Sequence, residues 1–69
     1  MAEDILALCR EPVQFETILQ NLFTGYGLEL TLEQYVLVGS TVRSYLAWLV
    51  DGGQVTYGFD QNRLLWERA

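Results

Sequence analysis

Thr41-Val42-Arg43-Ser44-Tyr45-Leu46-Ala47-Trp48-Leu49-Val50-Asp51-Gly52-Gly53-Gln54-Val55 joins a helical apolar period to a glycine stop and then to the start of an alternating strand. Val42, Tyr45, Leu46, Leu49 and Val50 recur at spacings of three and four, which makes one face of a helix apolar and turns Arg43, Ser44 and Asp51 away from it. The paired glycines then end the helix. Glycine takes the left-handed conformation of a helix stop without steric cost, so Gly52 or Gly53 is the expected residue just past the end. Beyond them Val55, Tyr57 and Phe59 alternate with Gln54, Thr56 and Gly58, as a half-buried strand requires. Asp60-Gln61-Asn62 is polar and turn-prone, and Arg63 to Glu67 forms a second strand with Leu64 and Trp66 on one side and Leu65 on the other. A helix handed to a β-hairpin in this way is how a winged helix is written. The expected fold class is α+β: three helices and a C-terminal hairpin wing.

Upstream, Thr31-Leu32-Glu33-Gln34 fits a capping box, with Leu30 and Tyr35 placed to staple across it. From Thr31 the helical period runs through Tyr35, Val38, Val42, Tyr45, Leu46 and Leu49, about 20 residues or roughly 30 Å of helix. Gly39 interrupts it at a cost of about 1 kcal/mol relative to Ala, and so marks a kink or a close approach by another element. The alternative is a break at Gly39-Ser40, with Ser40 capping a separate helix. Phe15, Ile18, Leu19, Leu22 and Phe23 form the apolar face of a second helix, with Gly25 as its expected stop and Gln14 as a weak cap. Pro12 separates it from a first helix that runs to about Arg10 and carries Glu3 and Asp4 in its first turn, where carboxylates meet the positive end of the helix dipole. Val13 is expected to add a short edge strand. No internal repeat or linker divides residues 1–69, which read as a single winged-helix domain.

At 69 residues, with 51% of them apolar, the chain can bury one core, though folding at this size hides only about 60% of the surface of the unfolded chain. The longest apolar run, Tyr45 to Val50, is far short of the roughly 20 residues that cross a bilayer. No basic segment followed by an apolar stretch opens the chain, and a soluble, cytoplasmic protein without membrane association is expected. The single cysteine, Cys9, lies on the apolar face with Ile5 and Leu8 and is expected to be a buried, inert thiol.

Nine carboxylates against four basic residues give a net charge of −5, and there is no histidine. DNA binders typically neutralise about 6 to 10 phosphates with Lys and Arg, more than this chain can supply. One Cys and no His cannot build a zinc centre, and Ser40, Thr41 and Ser44 have no histidine or lysine to activate them. Carboxylate pairs such as Glu29 with Glu33 fall at helix starts, where dipole compensation accounts for them. Gly25-Tyr26-Gly27 and Gly52-Gly53 are too short to cradle phosphates and read as turns. No catalytic or metal-ligating constellation is expected within these residues.

The functional signal lies on the outer side of the third helix. Leu37, Thr41, Ser44 and Trp48 fall at i, i+4, i+7 and i+11, roughly opposite Val42, Tyr45 and Leu49. An outward tryptophan either folds down against the wing or meets a partner, since Trp and Arg are over-represented among interface hot spots. Arg43 beside this stripe and Arg63 on the wing complete the candidate contact residues.

Pro12, Phe15, Ile18-Leu19, Leu22-Phe23, Gln34-Tyr35, the run Ser40 to Leu49, Asp51-Gly52, and Asn62 with Leu64-Leu65-Trp66 resemble the C-terminal winged-helix domain of bacterial metallo-β-lactamase-fold hydrolases. The resemblance covers almost the whole chain, and the Ser40 to Leu49 run is its most specific part. It implies a small module that follows a metal-binding αββα catalytic domain, shapes the substrate entrance or supports association, and has been separated here from the rest of a larger hydrolase. The HxHxDH motif that holds zinc or another divalent metal in that catalytic domain has no counterpart in this sequence, so no catalytic residue carries over. The expected function is a non-catalytic interaction module that packs on a metallohydrolase catalytic domain in cis or on another subunit. The alternative is a DNA-binding regulator in which Thr41 and Arg43 read bases and Arg63 meets phosphate. A self-contained enzyme ranks third.

Overall fold

Pro12 splits the N-terminal third of the chain into two helices, α1 over Ala2–Leu8 and α2 over Phe15–Tyr26. The structure, a computed structural model, describes all of residues 1–69. α1 is shorter than its apolar period suggested. It closes at Leu8 with the Cys9 amide donating to Ile5 and Leu6 carbonyls, and Arg10 lies in the turn beyond. α2 runs two residues past its expected stop at Gly25. Its actual terminator is Gly27, at φ 68°. The Gly27 amide donates to Thr24 and the Leu28 amide to Phe23, the paired bonds of a Schellman cap.

α3 spans Leu32–Asp51 without a break, which excludes a separate helix starting at Ser40. The Thr31 hydroxyl accepts from the Gln34 amide at 3.2 Å, while the return bond from the Gln34 side chain is not formed, so half of the expected box is in place. At the other end Gly52 stays helical and Gly53, at φ 75°, makes the left-handed turn. Gly53 donates to Val50 and Gln54 to Leu49 in a second Schellman cap.

Gly39 is buried because the Phe15 ring of α2 packs over it. A Cβ built there would meet Phe15 Cζ at 3.7 Å and Leu19 Cδ1 at 3.9 Å, which is ordinary contact distance. Gly39→Ala should therefore stabilise the fold by about 0.5–1 kcal/mol through helix propensity. In thermal melts the midpoint should rise by about 4–8 °C per kcal/mol at this size, and a fall would show that the Phe15 contact tolerates no methyl group.

β1 (Val55–Asp60) and β2 (Arg63–Arg68) pair antiparallel from Val55↔Arg68 to Asp60↔Arg63. Gln61 and Asn62 turn the chain with φ of 50° and 63°, the two positive values that a type I′ hairpin needs. Alternation decides which backbone groups serve which edge. Gln54 and Ala69 are bonded across the ladder at 3.0 Å, so the even-numbered residues of β1 face β2, and Val55, Tyr57 and Phe59 turn their N–H and C=O groups outward. On β2 the outward set is occupied at Trp66 and Arg68, while no hydrogen bond from another element reaches Leu64. Trp66 exchanges bonds of 2.8 and 2.9 Å with Val13, and the Arg68 amide donates to the Cys9 carbonyl at 2.6 Å. The edge strand expected near Val13 is thus a single bridge residue, and the Trp66–Arg68 end of β2 is held on both sides.

The core lies where the three helices meet the base of the hairpin. It contains Ile5, Cys9, Ile18, Leu19, Leu22, Phe23, Val42, Leu46, Leu49 and Val55. Tyr57 and Phe59 share a strand face with Val55, and the alternation predicted that they would be half-buried. Instead they are 53% and 76% exposed, and of β1 only Val55 at its base reaches the core. Trp66, opposite Tyr57 with ring centroids 5.9 Å apart, packs against the core, yet its indole N–H is buried without an acceptor. No helix is long and apolar enough to cross a membrane.

Candidate functional site

α3 buries the stripe Gly39, Val42, Leu46 and Leu49, and its 20 residues turn the opposite side to solvent. Leu37, Thr41, Ser44 and Trp48 all lie on that open side, as their spacing predicted. Leu37 is 65% exposed and Trp48 is 63% exposed, so the indole does not fold down against the hairpin. It stands as a ridge between two hollows. One, of about 370 Å³, is lined by Thr41, Ser44, Tyr45 and Trp48. The other, of about 300 Å³, is formed with Leu49, Asp51, Gly52 and Gln54 at the helix end.

The electrostatics of this face are simple. Between Glu33 and Asp51 the only charged residue on α3 is Arg43, and it is not on the stripe. One residue from Ser44 is about 100° around the helix, and Arg43 sits on the α2 side with its guanidinium 4.3 Å from the centre of the Phe15 ring. That cation–π contact is worth about 0.5–1 kcal/mol at an exposed site. The other basic side chains are also engaged or distant. Arg63 pairs with Asp60 across the hairpin turn at 3.4 Å, and Arg10 donates to the Ala7 carbonyl at 3.2 Å. The Thr41 hydroxyl donates to the Leu37 carbonyl at 3.2 Å, which spends its proton on its own helix. The structure therefore brings Leu37, Thr41, Ser44 and Trp48 together and leaves Arg43 and Arg63 elsewhere.

Two tyrosine–carboxylate bonds brace the helices behind this face. The Tyr26 hydroxyl donates to Asp4 Oδ2 at 2.6 Å, linking α2 to α1, and the Tyr35 hydroxyl donates to Glu16, linking α3 to α2. These bonds to carboxylates hold both phenols above their usual pKa, since ionising either would lose the bond and set two negative charges together. Burial pushes the Cys9 thiol up as well. All three groups keep their protons in the folded chain at pH values where the unfolded chain gives them up. Their stabilising contribution is complete below the unfolded pKa values and is lost as pH rises through the folded ones. Urea midpoints should accordingly decline on the alkaline side of pH 9, the ordinary thiol value. A thiol reagent should modify native Cys9 far more slowly than urea-unfolded Cys9 at pH 8; equal rates would contradict the burial.

Sequence reasoning missed other exposed apolar groups. Leu32 (79%) and Val36 (55%) lie on the α2 flank of α3, and Tyr57, Phe59 and Leu64 stand exposed on the hairpin. A hollow of about 300 Å³ between α1 and α2, bordered by Asp4, Arg10 and Tyr26, was also not foreseen, because it depends on the angle between two helices that share no sequence motif. No three His, Cys, Asp or Glu side chains gather where they could hold a metal ion.

No protein-family model matches this chain, and no curated protein or solved structure matches it. The resemblance to the metallo-β-lactamase-fold hydrolases rests on the quoted residues alone.

Proposed function

We propose that this chain is a winged helix serving as a non-catalytic docking module, with α3 and the hairpin in the places of recognition helix and wing. In this reading the outer face of α3 packs against a metal-dependent hydrolase catalytic domain, in the same polypeptide or in another subunit, and helps to shape its substrate entrance. Zinc or another divalent metal would belong to that catalytic domain and not to this module. A bacterial, cytoplasmic setting is part of the same proposal. The observation that carries it is Trp48, an indole 63% exposed on an uncharged stripe with Leu37, since exposed tryptophans of this kind are the anchors of interfaces.

The coding sequence on the 5′ side of Met1 is the first place to look for the catalytic domain. Added to the labelled chain, that domain should shift amides from Leu37 to Trp48, and Trp48→Ala should weaken binding about 30-fold, the 2 kcal/mol of a hot spot. Shifts confined to α1, or full affinity in the variant, would count against the reading.

The same architecture supports a DNA-binding regulator less well. Arg43 and Arg63 are both engaged locally, Thr41 has spent its hydroxyl proton, and a net charge of −5 repels phosphate. Salt-sensitive binding to duplex DNA with shifts along α3 would restore that alternative.

A further inference from the structure

β1 leaves one edge open. The N–H and C=O groups of Tyr57 and Phe59 point away from β2 at exposed positions, and no hydrogen bond from another element reaches them; Val55, in the same register, is closed off in the core. Natural edge strands are blunted by lysine, proline, bulges or inward charges. Val55-Thr56-Tyr57-Gly58-Phe59-Asp60 has none of these, and its single charge, Asp60, is tied to Arg63 at the hairpin turn.

We propose that this edge pairs with the same edge of a second copy of the chain, antiparallel about a two-fold axis at Gly58. The strand is self-complementary in that register. Tyr57 of each copy lies opposite Phe59 of the other, and because both residues turn their backbone groups outward, the two pairs exchange four ladder hydrogen bonds. Gly58 faces its own copy in a non-hydrogen-bonded pair, where backbones approach to about 4.5 Å and a residue without a side chain suits the contact. Asp60 falls opposite Thr56, so no like charges are opposed. Tyr57 and Phe59, edge to face at 6.3 Å within one copy, join the rings of the second copy in one aromatic row.

The size of the contact sets its strength. Two partly exposed rings offer on the order of 250 Å² per copy, and stable interfaces bury at least about 1,200 Å² in total. The dimer is therefore transient and forms at high local concentration. Two chains of charge −5 also repel each other, so added salt strengthens the association by screening.

Sedimentation equilibrium and amide exchange of the full chain between about 20 µM and 1 mM test this range of weak association. The weight-average mass should rise above 7.9 kDa with concentration. The Tyr57 and Phe59 amides should gain protection, and the rise should be larger at about 0.5 M salt than at 0.05 M. Tyr57→Pro removes an outward donor that the hairpin does not use, and Phe59→Lys sets a charge on the edge; either should return the mass to that of one chain. A constant mass, concentration-dependent shifts that fall on Leu37 to Trp48 instead of β1, or association that weakens with salt would overturn the proposal. So would a dimer that survives Phe59→Lys.

Discussion

Leu46→Ala should cost about 2–5 kcal/mol, because it removes a fully buried side chain from the middle of α3 and leaves a cavity that the surrounding helices cannot close completely. Domains are stable by about 0.05–0.15 kcal/mol per residue, which for 69 residues is about 3–10 kcal/mol in all. The variant should consequently lose much of its stability, and at the lower end of that range it should populate the unfolded state at room temperature. Leu37→Ala is the matched control. The same side chain is deleted from the same helix, but at a site 65% exposed, and the change should stay within about 0.5 kcal/mol. Urea denaturation followed by circular dichroism separates the two. Equal losses would mean that α3 presents a different face to the core.

Gly53→Val should cost about 2 kcal/mol for a different reason. Nothing lies within 4 Å of the position a Cβ would take, so the cost is not a clash with neighbours; it comes from holding a β-branched residue at φ 75°. Gly52 is the adjacent control. It is αR at φ −80°, and its Cβ would meet the Trp48 carbonyl at 3.5 Å, so Gly52→Ala should change stability by no more than about 0.5 kcal/mol. If the two variants melted together, the Schellman geometry at the end of α3 would be wrong.

The contrast between these glycines shows how far the sequence could be read. The order helix, glycine stop, hairpin was legible because each step has its own local signal: an apolar period, a residue free to turn left-handed, an alternation. Which of two neighbouring glycines makes the turn is a matter of one residue of register, and the pair Gly52-Gly53 left it open. At the end of α2 the same ambiguity gave a different residue. The apolar face ends at Phe23, which pointed to Gly25, but Tyr26 extends the helix with its hydroxyl on Asp4 of α1, and Gly27 closes it. That bond joins two segments whose relation no local pattern records. The single bridge at Val13 was foreseen as a short edge strand, while its partner on β2 was not specified.

The candidate site was legible to the same degree. Helical spacing named Leu37, Thr41, Ser44 and Trp48 as one stripe, and they are one stripe. Spacing cannot say whether an outward indole lies flat on its neighbours; in the fold Trp48 stands exposed. Arg43 was set beside the stripe by residue type, whereas its contact with Phe15 holds it on the α2 side; Arg63 was placed on the hairpin, and there it pairs with Asp60. The hairpin shows a further limit. Alternation tells which side of the ribbon Tyr57 and Phe59 occupy, but not that only Val55 of β1 reaches the core.

The clamp on β2 has a consequence for how the protein is made. Trp66 and Arg68 on β2 are bonded to Val13 and Cys9 beside α1, so the outer flank of that strand is joined by the hydrogen bonds of greatest sequence separation in the fold, while its inner flank is the local pairing with β1. Such non-local contacts are the slow ones to form. During synthesis on a ribosome, the three helices can emerge and gather, but Cys9 and Val13 keep their carbonyls and amide unmet until the last strand has cleared the exit tunnel. A nascent chain of which only the residues before Trp66 have emerged should remain protease-sensitive across α1, and emergence of Trp66 to Arg68 should protect α1 and β2 at once.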